Sequence, residues 1–143
     1  MGQKRDVCEE WTDDHVAFLI GCSFSFEAAL ERAGLAPRHW ETGGNVPMYK
    51  TRRRLNPAGI FTDSYYVVSM RPYRPEDIER VRDVTRPFEG MHGEPIAWGW
   101  NAIRELGIED IERPEFGEKV EFKDGEEPVF WVSGFWSSMR WFT

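Results

Sequence analysis

The stretch "AFLIGCSFSFEAALERAG", residues 17–34, decides how this chain folds, because it passes from one kind of periodicity to another within a few residues. "HVAFLIGC", residues 15–22, is a short continuous apolar run, the composition of a strand buried on both faces. From Ser23 the spacing becomes helical: Phe26, Ala29, Leu30 and Ala33 share one face, with Glu27, Glu31 and Arg32 off it. Ser23 or Ser25 stands where an N-cap belongs, and Gly34 where a glycine closes a helix. The unit is a strand–turn–helix whose corner is Cys22, Ser23 and Ser25 rather than an ordinary Gly/Asp turn. Two readings of that corner stand. In one, the serines cap the helix and Cys22 is a small buried hydrophobe. In the other, free backbone N–H groups and a partial positive charge seat a small anion, with two hydroxyls and a thiolate favoured by the same field.

Working outward, residues 35–63 are rich in Gly, Pro and Asn and read as loops around a short strand near "NVPMY". "SYYVVSMR", residues 64–71, is β-branched and aromatic and predicts a strand. Pro75 opens the next helix with Glu76 and Asp77 in its positive first turn, and Ile78, Val81 and Thr85 form the inward stripe. "NAIRELG" predicts a further helix closed by Gly107. "EKVEF" alternates, "KDGE" supplies a turn, and "PVFWVS" predicts the last strand. Strands alternating with helices imply an α/β architecture: a mixed β-sheet covered by helices, in a compact one- to two-lobed domain over residues 1–143.

The bulk numbers bound the function. A chain of 143 residues fits one domain, or one plus a small lobe, with a true core. A net charge of −7 argues against a dedicated nucleic-acid binder. No apolar run reaches the ~18 residues of a membrane helix, and "MGQKRDVCEEW" lacks an apolar signal region. Cys8 and Cys22 are too few for a disulfide framework, so a reduced, cytoplasmic setting is expected. The three histidines have no Cys or acidic partners at ligand spacing, so no metal is expected. No dinucleotide-binding glycine turn or P-loop signals a cofactor.

"VAFLIGCSFSFEAAL", "RHWETGGNVPMYKT", "PAGIF", "YVVSMRP", "HGEPIAWG", "RPEFGEKVEF" and "GEEPVFWVSG" follow one another across residues 7–134. In that order they resemble the hydro-lyase family that includes the D-glutamate cyclases. The resemblance implies a two-lobed α/β fold and a lyase chemistry, the closure of D-glutamate to 5-oxo-D-proline with loss of water. It also implies an N-terminal region and a C-terminal tail beyond what this chain carries, since family members are about twice as long. Against the family pattern, Ala97 stands where a second His is expected, Trp100 where an Asp is, and Ser133 where a Cys is. The Thr-Pro-Gln element that follows in the family is absent from "VSGFWSS".

A lyase of this kind needs a clamp on a carboxylate, a base for the ammonium, and donors around the carboxyl that loses oxygen. Cys22, Ser23 and Ser25 offer the donors, and Arg71, at the end of its strand, a planar fork for a carboxylate. A surface ion pair with Glu76 or Asp77 is the plainer reading of Arg71. His92, in "GMHGEP", suits proton transfer, or else a hydrogen-bonded turn. Asn45 and Tyr49, in "GGNVPMYK", can orient a carboxylate as neutral donors, or belong to a turn and the core. His15 and His39 carry less of the argument. "RRR", residues 52–54, reads as a solvated loop rather than a phosphate patch. The expected partner is a small-molecule carboxylate, with no nucleic acid and no membrane. Phe130, Trp131, Phe135, Trp136, Trp141 and Phe142 suggest a homo-oligomer built through the C-terminus. The alternative to a lyase is a non-catalytic relative that keeps only a binding corner.

Overall fold

A computed structural model describes residues 6–16, 22–57, 59 and 62–133. Its frame is a four-stranded sheet of β1 (Met48–Arg54), β2 (Tyr65–Tyr73), β3 (Ala97–Trp98) and β4 (Glu127–Val132), in the spatial order β1-β2-β4-β3. Around it lie α1 (Phe24–Arg32), α2 (His39–Thr42), α3 (Ile78–Thr85) and α4 (Trp100–Leu106). The α/β architecture is as expected, and the pairings among the described residues are antiparallel.

β2 is central, and this explains its composition. Register pairs Ser69 with Trp131, Met70 with Phe130 and Arg71 with Val129, so successive residues face opposite sides of the sheet. One side packs Tyr73, Val129 and Trp131 against Phe26 and Leu30 of α1 and Ile78 and Val81 of α3. The other packs Tyr49, Val68, Met70 and Phe130 against Ala102 and Leu106 of α4. A strand covered on both faces shows no polar alternation. Pro72 and Pro128 lie opposite each other without breaking the ladder. Met70 N–H donates to Pro47 O (2.9 Å), and Gly99 N–H donates to Pro128 O (2.9 Å). These bonds show that even-numbered residues of both strands turn their peptide groups away from the β2–β4 seam, so the donors missing from the two prolines are not needed there.

The helix boundaries follow local chemistry. α1 ends in a Schellman motif: Gly34 adopts φ +74°, its N–H donates to Glu31 O (2.8 Å), and Leu35 N–H donates to Leu30 O (2.8 Å). Leu35 then packs with Leu30 in the same cluster. Pro75 starts a 3₁₀ turn that runs into α3, whose buried residues are the expected Ile78, Val81 and Thr85. Gly117, at φ +75°, lets the backbone pass so close to Val46 that a side chain there would collide with the Val46 carbonyl.

Three expectations are revised. "EKVEF" is not a strand: residues 118–122 are irregular, because β2 and β3 already occupy both sides of β4. Val120 and Phe122 are apolar in that segment because they pack against the α4 side. "RRR" is not a loop but the exposed end of β1, with Arg52 near Glu109 (3.8 Å) and Arg54 near Asp63 (2.9 Å). Of the expected strand at 15–22, His15 and Val16 are exposed coil, while residues 17–21 lie outside the described residues. In the aromatic C-terminus, Phe130 and Trp131 are core residues on opposite faces of the sheet. Phe135, Trp136, Trp141 and Phe142 lie outside the described residues. Among the described residues no helix is long and apolar enough to cross a membrane.

Candidate functional site

The corner at the start of α1 meets β2 at Arg71, which lies inside the strand rather than at its end as expected, and the contact is made by charge. Arg71 is 1% exposed, the one cation in the buried run Val67–Tyr73. Its Nε donates to Glu27 Oε1 at 3.1 Å, and Nη2 donates to the same oxygen. Nη1 donates to Ser69 Oγ at 3.1 Å and Nη2 to Ser23 Oγ at 3.1 Å. Phe26 and Trp131, whose rings pack on each other at 5.5 Å, lie beside the guanidinium with Cζ 5.1 Å and 5.2 Å from their centroids. Cation–π attraction to these rings adds to the ion pair where water is excluded.

Glu27 is also 1% exposed, which corrects its placement off the apolar face. Its second oxygen, Oε2, accepts from Trp40 Nε1 at 2.9 Å. His39 is buried beside it, with Nε2 at 3.5 Å from Oε2 and outside good hydrogen-bond geometry. Burial by itself pushes the Glu27 carboxyl up; the contact with His39 and the Arg71 charge outweigh it and hold the carboxyl below its ordinary value. Trp40 is 41% exposed, so its indole spans from solvent to this buried carboxylate.

Ser23 occupies the N-cap position of α1 but makes no capping bond with its side chain. Its hydroxyl faces Arg71 instead. Ser25 Oγ donates back to Cys22 O, and Ser25 N–H donates to the same carbonyl at 3.0 Å. Cys22 is a free, half-buried thiol. His92 sits in the turn after Phe88, its N–H donating to Phe88 O at 3.1 Å. Its ring meets the Phe26 ring edge-on at 6.4 Å, so Phe26 is a neighbour of both His92 and Arg71.

The structure therefore brings Ser23 and Arg71 into contact, keeps Cys22 and Ser25 beside them in the chain, and reaches His92 through one aromatic ring. The plainer partners proposed for Arg71, Glu76 and Asp77, are not its partners; Glu27 is. Tyr49 is elsewhere. It packs on the α4 side of the sheet and donates its hydroxyl to Ile111 O at 2.7 Å, and burial pushes that hydroxyl well above the ordinary tyrosine value. Asn45 is an exposed residue before β1, bound through its backbone to Glu118. Ala97 and Trp100 also belong to the α4 side, Ala97 against the apolar cluster and Trp100 on Phe122 at 4.9 Å. Ser133 donates to the Met48 sulfur at 3.6 Å. Among the described residues no group of three His, Cys, Asp or Glu is placed to hold a metal ion.

Glu27 was missed from the sequence as the partner of Arg71, and His39 and Trp40 as neighbours of Glu27. A signal existed: a lone cation inside a run of buried residues requires a buried acid, and Glu27 lies one helical turn from Ser23, on the same side of α1.

A family model for D-glutamate cyclase matches residues 16–140. A protein of Schizosaccharomyces pombe is 50% identical over 132 residues, which is 92% of this chain and 44% of that protein. One of Rubrobacter xylanophilus is 50% identical over 132 residues, 92% of this chain and 50% of its own length. One of Burkholderia orbicola is 54% identical over 124 residues, 87% of this chain and 47% of its own. All three bear the name "Putative hydro-lyase". The chain spans about half the length of the curated relatives it matches. With the corner residues, the β2 strand and the whole described sheet inside the matched span, the chain belongs to the D-glutamate cyclase family.

Proposed function

We propose that this chain carries a hydro-lyase activity on a small amino-dicarboxylate or related carboxylate, of the kind that closes D-glutamate to 5-oxo-D-proline. The observation that carries the reading is the meeting of Ser23, from the start of α1, with Arg71 of β2 at 3.1 Å, close to the turn that holds His92. Closing the ring removes two protons from the substrate ammonium. A C–N bond forms at the γ-carboxyl carbon, a C–O bond breaks there, and the oxygen departs with both protons as water. Half-buried His92, placed near the corner by Phe26, takes a proton from nitrogen and returns it to the departing oxygen. The Ser23 hydroxyl stabilises the charge that grows on the carboxyl oxygen. Cys22 and Ser25 border the same corner.

A second reading, a ligand-binding relative without turnover, is favoured by one observation. Glu27 already fills the Nε/Nη2 edge of Arg71, the edge a substrate carboxylate would use. The two readings separate in one experiment: incubate the protein with D- and L-glutamate, follow 5-oxoproline by chromatography, and record melting temperatures in parallel. Turnover that disappears in His92→Ala and Ser23→Ala supports the lyase. Stabilisation without turnover supports the binder, and a ligand at about 100 times its Kd raises stability by about 2.7 kcal/mol. Neither turnover nor stabilisation overturns both.

A further inference from the structure

We infer that Arg71 and Glu27 are positioning residues that act through Ser23, and that Arg71 is not the clamp for the substrate carboxylate. The inference rests on the hydro-lyase reading above and assigns roles within it.

Arginine has five N–H donors and no acceptor, and it grips a carboxylate through two parallel N–H bonds on one edge. In this fold the Nε/Nη2 edge is taken by Glu27 Oε1, and the Nη1/Nη2 edge by Ser69 and Ser23. The Phe26 and Trp131 rings, packed on each other at 5.5 Å, sit together against the guanidinium. A substrate carboxylate has no edge of Arg71 to grip unless Glu27 first leaves a buried ion pair.

The same donor-only chemistry orients Ser23. Because Arg71 cannot accept, the Ser23 oxygen must be the acceptor in their bond, and the Ser23 proton points elsewhere. Among the described residues Ser23 Oγ has no second partner. Ser25 is the contrast: its hydroxyl proton is committed to Cys22 O. Of the two serines at the corner, Ser23 is thus the one that keeps a donor for a ligand oxygen, and accepting from a cation strengthens that donor. Glu27 completes the device. Held by Trp40 at Oε2 and by α1 at its backbone, it fixes the guanidinium in the one rotation that lets Nη2 reach Ser23.

A cycle of variants tests this with D-glutamate as the probe. The parent, Ser23→Ala, the paired Arg71→Met with Glu27→Leu, and all three together are compared for kcat and KM. The paired change removes both charges at similar volume, which avoids an unpaired buried ion. If the pair acts through Ser23, kcat falls 10- to 100-fold in Ser23→Ala and similarly in the paired variant, with KM moved less. The triple variant is then no worse than Ser23→Ala. Losses that multiply in the triple variant, or a paired variant whose main defect is in KM, overturn the inference in favour of a direct clamp. Should the paired variant fail to fold, Arg71→Lys replaces it in the same cycle, since an ammonium pairs with Glu27 but cannot also reach Ser23 and Ser69. A parent with neither turnover nor stabilisation by D-glutamate overturns the hydro-lyase reading itself and this inference with it; an active parent with multiplying losses overturns the inference alone.

Discussion

On one side of the sheet, α4 lays Ala102 and Leu106 over Val68, Met70 and Phe130, and the polar atom that Tyr49 brings there ends on the Ile111 carbonyl. On the other, α1 sets Glu27 against Arg71 beside the packed rings of Phe26 and Trp131, with Ser23, Ser69 and Trp40 completing their bonds. Both sides exclude water, yet they use burial differently. The α4 side gains by removing apolar surface from water, roughly 25 cal/mol per Å². The α1 side carries two charges whose desolvation largely cancels their attraction, so an apolar pair of the same volume would hold the fold as well. What the charged pair adds is direction: it settles where a guanidinium, two hydroxyls and an indole N–H point.

The comparison breaks most visibly if Glu27 alone is made apolar. Glu27→Leu strands Arg71 as an unpaired buried cation, and urea unfolding should show a loss of about 3–5 kcal/mol. Changing Arg71 to Met in the same chain should return stability to the parent level or above it. A single variant as stable as the double one would mean that Arg71 finds water or another acid, and the contrast between the two sides would fall.

Acid sharpens the comparison less strongly. The Glu27 carboxyl is held low in the folded state, so unfolding binds a proton between that value and the ordinary carboxylate value of about 4.3. The stability Glu27 contributes is complete above that ordinary value and disappears as pH falls through the folded one. Urea midpoints measured at about pH 6 and about pH 3 should therefore drop further for the parent than for the double variant. Equal drops would place the acid sensitivity in the exposed carboxylates.

The smallest effect belongs to the apolar side. Tyr49→Phe removes one hydrogen bond to Ile111 O and leaves the ring packed; thermal unfolding should report a loss of about 1 kcal/mol. Turnover of D-glutamate should be unchanged, because Tyr49 faces away from the corner. A loss of turnover in Tyr49→Phe would join the two sides functionally and contradict their separation.

Much of the frame was legible from local pattern. The run around β2, the inward stripe of α3 and the glycine closing α1 each follow from residues within a turn or a strand of one another. Where sequence reading went astray, the deciding contact was distant. "EKVEF" alternates like a strand, but β4, its expected partner, is already paired with β2 and β3. Ser23 was legible as a helix start, yet its hydroxyl turned to a residue 48 positions away instead of capping.

The sequence by itself determined an α/β chain with a β-branched and aromatic strand over residues 64–71, an amphipathic helix opened by serines and closed by Gly34, and an arginine in that strand. Periodicity, capping and conformational preference act over a few residues, and a few residues are enough to read them. Only the tertiary structure decided that Glu27, at the border of its helical stripe, is a buried ion and not a solvated one. Whether a charge is buried depends on what packs over it, and here that is Arg71, 44 residues further along the chain.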